Sequence, residues 1–292
     1  MRAKKIIGYT LIVILVVIAS IWTLDWKSYA SQISAIASTA GAKAGFAVKI
    51  TGEKLSPLSF SANKIELASI SLPTVELALS NIKGRINWLS LATAKKTFSV
   101  KADAYGGALE SAFTFLPEGV NYSLRLDRLA LEKYPLFSEL GLTGLLFIDC
   151  KDLEQKRGGF SNGECFIQLK NCSKAAPLKH HLNSLGIPLS VEIPSFSALN
   201  LTSSLSLKGG SLLIKSLSLD SSLLSAKGKG EIKSFSKSPA ISASLAISLS
   251  DEGLKRIGSF LPLISRGVLP NTRKSFTVKI SGRLSNPSIN FK

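Results

Sequence analysis

From Leu199 to Ile232 leucine alternates with serine or another small polar residue, LNLTSSLSLKGGSLLIKSLSLDSSLLSAKGKGEI, and nothing else in the chain restricts its fold as much. Leu199, Leu201, Leu205 and Leu207 share one parity, Gly209-Gly210 turns the chain, and Leu212, Ile214, Leu217 and Leu219 follow. A period of two puts the apolar side chains of a strand on one face and the polar ones on the other. Burying each leucine is worth about 1.5 to 3 kcal/mol, and a slip of one residue would expose the whole set, so the register is held. The stretch predicts a hairpin-built antiparallel sheet with one apolar face.

The same period recurs on both sides. It begins at Phe46 with Val48 and Ile50, and runs through Leu58 and Phe60, Ile65 and Leu67, then Val75, Leu77 and Leu79. Phe98 and Val100, Phe113 and Phe115, then Tyr122, Leu124 and Leu126 continue it, and Phe276, Val278 and Ile280 resume it near the end. Gly, Pro, Asn or Ser bounds each run, so the fold class is all-β. Two helices of the body are predicted as covers over an end or open side of the sheet. Leu178, Leu182 and Leu185 share a helical face ended by Gly186; Leu254, Ile257, Leu261 and Ile264 share another, opened by Ser250-Asp251 and disturbed by Pro262. Gly106-Gly107 and Gly209-Gly210 each place a double glycine at a turn before an outgoing strand. Two arrangements satisfy the leucine face: a flattened sandwich in which it is mutual core, or a curved sheet forming an open groove.

Ahead of the β body lies an uncharged run, Ile6 to Leu24, preceded by Arg2, Lys4 and Lys5. As a helix it spans about 28 Å, matching a hydrocarbon core of about 30 Å. Ile6, Leu11, Ile14, Val17, Ile21 and Trp22 are its membrane residues, and the basic cluster predicts a cytoplasmic N-terminus with the rest translocated. A cleaved signal peptide ending at Ser28-Tyr29-Ala30 is the competing reading; the apolar run is longer than the usual signal core of about 7 to 15 residues. Spacings of three and four from Trp26 to Ala44 predict a short helix leaving the membrane. The expected domains are residues 1–25 as tip and transmembrane anchor, 26–45 as helical linker and 46–292 as a β domain on the far side.

The formal charge of +17 is scattered over polar strand positions and turns. Such lysines discourage edge-to-edge pairing, or meet anionic headgroups or an acidic protein. Nucleic acid is not expected, because no compact basic run is interleaved with aromatics. No enzyme, metal or cofactor is expected either. His180 and His181 are adjacent, which does not suit a shared metal on a helix, and the serines lack a Gly-x-Ser-x-Gly elbow. Gly228-Lys229-Gly230 lacks the spacing of a phosphate loop and reads as a bulge or turn at a strand start. Cys150 and Cys165 are equally distant from a loop tip at Arg157-Gly158. Cross-strand partners there fall within disulfide range in an oxidising compartment, while three buried thiols, with Cys172, are the alternative.

Several stretches together resemble a known family. Lys208-Gly209-Gly210-Ser211-Leu212, Leu217-Ser218-Leu219-Asp220, Ser225 to Ile232 (SAKGKGEI), and the closing Lys279-Ile280-Ser281-Gly282-Arg283-Leu284-Ser285-Asn286-Pro287 resemble the GspN-like proteins of bacterial type II secretion systems. Ile86-Asn87-Trp88-Leu89-Ser90-Leu91 and Tyr105-Gly106-Gly107-Ala108-Leu109 are similar to a module of the wider AsmA-like group. The resemblance implies a bacterial inner-membrane protein with a periplasmic β domain, acting as a non-enzymatic accessory or scaffold of type II secretion with other secretion components as partners. Its AsmA-like side implies a curved sheet whose apolar groove carries phospholipid acyl chains between membranes. On that reading Leu199, Leu201, Leu205, Leu207, Leu212, Ile214, Leu217, Leu219, Phe276, Val278 and Ile280 form the apolar face.

Overall fold

The computed structural model describes residues 26–43, 45–70, 76–87, 90, 95–156, 159–175, 178–181, 190–193, 195–233 and 239–292. Its first strands are β1 (Phe46–Thr51), β2 (Lys54–Ser56), β3 (Ser59–Ser69), β4 (Glu76–Ile86), β5 (Lys96–Ala104), β6 (Gly107–Leu116) and β7 (Gly119–Ala130). A long hairpin, β8 (Leu142–Lys156) and β9 (Gly159–Lys174), comes next, then the short β10 (Leu178–His181) and β11 (Ser190–Ile193). The chain continues with β12 (Phe196–Lys208), β13 (Ser211–Asp220), β14 (Leu224–Lys233), β15 (Ala240–Leu249), β16 (Ser275–Arg283) and β17 (Asn286–Phe291).

All but β10 and β11 join one open antiparallel sheet of 15 strands, in the order β1-β3-β4-β5-β6-β7-β8-β9-β12-β13-β14-β15-β16-β17, with β2 beside β3. Chain neighbours are therefore sheet neighbours almost throughout, as tight turns between alternating strands dictate. The sandwich alternative drops out, because these strands form one layer with two edges. The double-glycine echo proves to be two different turns. Gly209 and Gly210 both have positive φ and make the two-residue turn from β12 to β13, whereas Tyr105 and Gly106 take the positive-φ positions between β5 and β6 and Gly107 already starts β6.

Helix α1 (Trp26–Lys43) fills the expected linker and packs on β1 and β2, with Ala30 buried. A 3-10 turn (Leu131–Lys133) leads into helix α2 (Pro135–Glu139). Past β15, helix α3 (Asp251–Ile257) passes through a 3-10 turn (Gly258–Phe260) into α4 (Leu261–Ile264). Ser250 caps α3 by accepting from the Gly253 N–H (2.9 Å), and Pro262 sits in the first turn of α4, where a missing N–H costs nothing. The two helical segments of the body, α2 and α3–α4, lie over the same end of the sheet. Leu131 and Phe137 pack with Ala104, Leu126, Leu129 and Cys172; Leu254, Leu261 and Leu269 pack with Leu249, Phe276 and Val278. A third buried cluster, Ala62, Ile82 and Ala102, lies across β3, β4 and β5.

Three expectations change or fall outside the described residues. The helix predicted from Leu178, Leu182 and Leu185 is not formed: Leu178 to His181, including His180, are strand β10, paired with β11 from Leu178 opposite Ile193 to His181 opposite Ser190. Three leucines between Pro177 and Pro188 are too few to nucleate a helix against a ladder partner; Leu182 and Leu185 lie outside the described residues. Gly228-Lys229-Gly230 is not a turn but the interior of β14, in regular register with β15; on its other side it faces the bulge that β13 makes between Ile214 and Leu217. A Cβ on Gly228 would lie 2.7 Å from the Ser244 carbonyl oxygen and 2.8 Å from a Leu245 methyl, so close packing excludes a side chain there. The apolar segment with Ile6, Leu11, Ile14, Val17, Ile21 and Trp22 lies outside the described residues, among which no helix is long and apolar enough to cross a membrane.

Candidate functional site

Cross-strand register carries the apolar face of the leucine stretch across most of the sheet. Starting on β5, Val100 stands opposite Ser111, Ser111 opposite Leu124, Leu124 opposite Cys150, and Cys150 opposite Cys165. Cys165 then meets Leu205, Leu205 meets Ile214, and the row passes through Gly230, Ala243 and Ile280 to Ile289 on β17. A parallel row nearer the helices runs Leu129, Leu146, Leu169, Leu201, Leu219, Ala226, Ile247 and Phe276. At about 4.8 Å per strand the first row, eleven strands wide, spans about 48 Å measured along the sheet.

Plain alternation does not keep so long a face on one side, because several strands change parity. Leu77 and Leu79 give way to Ile82 and Ile86, Leu124 and Leu126 to Leu129, Ile148 and Cys150 to Leu153, and Ile167 and Leu169 to Cys172. Each change brackets a non-glycine residue with positive φ: Asn81, Arg128, Asp152 and Asn171, with Ala198 doing the same before Leu199. Shifts in register accompany them, so these are β-bulges that return the apolar side chains to one face and bend the strand. On β13, Lys215 and Ser216 perform the same correction between Ile214 and Leu217.

Coverage of this face is uneven. Leu199 joins the cluster under α2, and Phe276, Val278 and Ile280 join the one under α3–α4. Leu201, Leu205, Leu207, Leu212, Ile214, Leu217 and Leu219 belong to no buried cluster of the described residues and stay partly exposed beside one another. Phe115, at the turn end of the face, is 52% exposed. The helix end is fastened by Lys174, which is buried and donates from Nζ to the Leu140 carbonyl (2.5 Å), at the C-terminus of α2 where a cation is favoured.

The opposite face is charged. Lys101 pairs with Glu110 on the neighbouring strand (2.5 Å) and Lys215 of β13 reaches across β12 to Glu164 of β9 (2.6 Å), and the lysines' hydrogen bonds hold both carboxyls below the usual range. Beyond Glu231 acids are scarce: residues 195–292 hold fourteen Lys and Arg against four Asp and Glu. A depression of about 730 Å³ crosses β13 to β17, lined by Leu213, Ile214, Ala243 and Ile280 together with Lys215, Lys229, Lys279 and Glu231. Among the described residues no three His, Cys, Asp or Glu gather as a metal group would.

Cys150 and Cys165 are joined by a disulfide on the apolar face, and Cys172 is a free buried thiol whose pKa burial raises. At the tip of the same hairpin Glu154 accepts from the Ser161 hydroxyl (2.7 Å) and the Asn162 amide (2.8 Å), and pairs with Lys156 (3.0 Å). Those bonds, Ser161 first, lower its pKa from 4.5 to about 2. A carboxylate whose folded pKa is depressed stabilises the fold above its ordinary pKa, and the contribution is lost as pH falls toward the folded value. Acidification from pH 4.5 to 2 is therefore expected to loosen this tip. A carboxyl NMR titration of Glu154 with a midpoint near 4.5 in the folded protein would contradict the contacts.

Fold and face together define a class, the open single-sheet β protein with one apolar and one charged side. No family model, curated protein or solved structure matches the chain, so the GspN-like and AsmA-like resemblance rests on the residue patterns quoted for it.

Of the expected site residues, the strand register brings all eleven of the apolar face to one side of the sheet, and brings Cys150 and Cys165 together. Sequence reasoning did not extend this face to Val100, Leu124, Leu126, Ile148 and Ile167. The available signal was the change of parity at each bulge, with Asn or Asp at three of the five sites, the residue types that most readily adopt positive φ after glycine.

Proposed function

We propose that this protein is an envelope lipid carrier, tethered to the bacterial inner membrane by residues 6–24, whose uncovered apolar face in the periplasm holds phospholipid acyl chains as a groove. One observation carries the reading: seven of the eleven leucine-face residues pack under no helix or second sheet of the described residues, on a face that continues over eleven strands. A contiguous apolar surface of that extent in a water-facing protein marks a binding surface. The Cys150–Cys165 disulfide supports a compartment outside the cytoplasm, and Arg2, Lys4 and Lys5 support a cytoplasmic N-terminus.

The test is native mass spectrometry, with lipid extraction, of full-length protein isolated from its own membrane. Phospholipid is expected to co-purify. Leu212→Asp with Ile214→Asp, in the uncovered region, should reduce it about tenfold or more, because losing contact with two or three methylenes costs about 0.8 kcal/mol each. A lipid-free protein, or equal loading of the variant, would end the proposal.

A role as accessory scaffold in type II secretion, implied by the resemblance, is a second proposal. The basic excess of the C-terminal strands favours it: Lys229 and Lys279 share one row of the charged face, each opposite Ser244, which suits an acidic protein partner. Co-purification of secretion components from native envelopes should then be lost in Lys229→Glu/Lys279→Glu. If the wild-type protein brings none down, this second reading fails and the first stands.

A further inference from the structure

The sheet ends on β17 without a partner strand among the described residues. Thr277 and Lys292 exchange both backbone hydrogen bonds (2.8 and 2.9 Å), and the register between β16 and β17 is regular from there. Asn290, Ser288 and Asn286 therefore turn their backbone groups toward β16, while Phe291, Ile289 and Pro287 turn theirs to the free edge. Natural edge strands are commonly blunted by lysine, by proline or by a bulge. Asn286 to Phe291 carries no charge and no bulge, and Pro287 removes a single outward donor. At the other end of the sheet β1 has Lys49 at its centre and α1 packed against it.

We propose that β17 is a pairing edge whose partner is β17 of a second copy of this chain, antiparallel about a two-fold axis normal to the sheet and centred on Ile289. In that register Ile289 meets the partner's Ile289, Phe291 meets the partner's Pro287, and Ser288 meets the partner's Asn290. Apolar faces apolar, amide faces hydroxyl, and no like charges oppose one another. The outward Ile289 groups form one reciprocal pair of backbone hydrogen bonds, and each outward Phe291 N–H finds the partner's Pro287 carbonyl. Lys292 falls opposite the partner's Asn286, so the ends close without repulsion. An axis normal to the sheet keeps both apolar faces on the same side, so the row ending at Ile280 and Ile289 continues into the second copy. Ile289, at 53% exposure one of the most open side chains of that face, is then covered. The geometry is isologous and closes at two copies, whereas pairing β17 with a second copy's β1 would leave free ends and build a filament. The inference goes beyond lipid binding and stands or falls without it.

Full-length protein in mild detergent provides the test. Ile289→Cys is expected to form a disulfide-linked dimer on mild oxidation, since directly opposed residues of such a pair lie about 5.5 Å apart. Ile280→Cys, one strand further in on each copy, should not. Ser288→Lys/Asn290→Lys places lysines opposite lysines and is expected to weaken the dimer on the order of tenfold, whereas Ser288→Glu/Asn290→Lys creates two cross-axis ion pairs and should preserve it. Circular dichroism confirms that each variant folds, and analytical ultracentrifugation reads the masses. A monomer at micromolar concentration, equal behaviour of the two double variants, a dimer that Ile289→Cys does not link, or a different protein's strand on β17 would each overturn the assignment.

Discussion

Ile82→Ala is expected to lower the free energy of unfolding by about 2 to 5 kcal/mol, toward the upper part of that range. Ile82 is the one large side chain of the described residues that is under 2% exposed, and it sits on β4 between Ala62 of β3 and Ala102 of β5. Its flanking partners are alanines, fixed to the backbone with no torsion to rotate into the space. Relaxation is then left to Phe60, Ile65, Leu79 and Val100, which have work elsewhere in the cluster. A hole that cannot collapse adds its own cost to the lost transfer energy of the deleted atoms. Ile264→Ala deletes the same atoms where the side chain is 56% exposed, and should cost under about 1 kcal/mol. Urea unfolding of both variants measures the contrast. Equal midpoints would mean that the β3–β5 cluster does not hold this end of the sheet.

Removing the disulfide, by Cys150→Ala/Cys165→Ala, is expected to cost about 2 to 4 kcal/mol. The two residues are 15 apart in sequence, and for a closed loop of that length the restriction of the unfolded chain is worth about 3 kcal/mol. They sit opposite each other at the middle of the sheet, so the bond also ties the two halves of the long apolar row. Unfolded without reductant, the protein should show one reactive thiol, Cys172, and three after reduction. Reductant should shift the unfolding midpoint of the wild type as the double substitution does. Identical midpoints with and without reductant would sink the expectation.

How much of this was legible in advance depends on the range of the interaction. Gly209-Gly210, the Ser250 cap and the equal distances of Cys150 and Cys165 from their loop tip are local, so the residues themselves announce them. Around β10 the leucine spacing of four and three satisfies a helical period, and the pairing of Leu178 to His181 with β11 overrides it. Gly228 is glycine because Leu245 and the Ser244 carbonyl stand against it from the next strand, seventeen and sixteen residues away, beyond the reach of any local pattern. The short α2 announces itself only through Pro135, and what holds it is Phe137 against β-strand side chains together with Lys174, thirty-four residues beyond the carbonyl it caps.

The amino-acid order alone determined the strand class, the Gly209-Gly210 turn and the apolar side of the leucine stretch, because a period of two and the φ freedom of glycine act within a few residues. Only the tertiary structure decided that these strands make a single open layer, that bulges at Asn81, Arg128, Asp152, Asn171 and Ala198 keep the apolar faces together, and which leucines are covered. Whether an apolar face is buried or left open depends on what lies across from it. That is a property of segments far apart in the chain, and no local pattern of residues contains it.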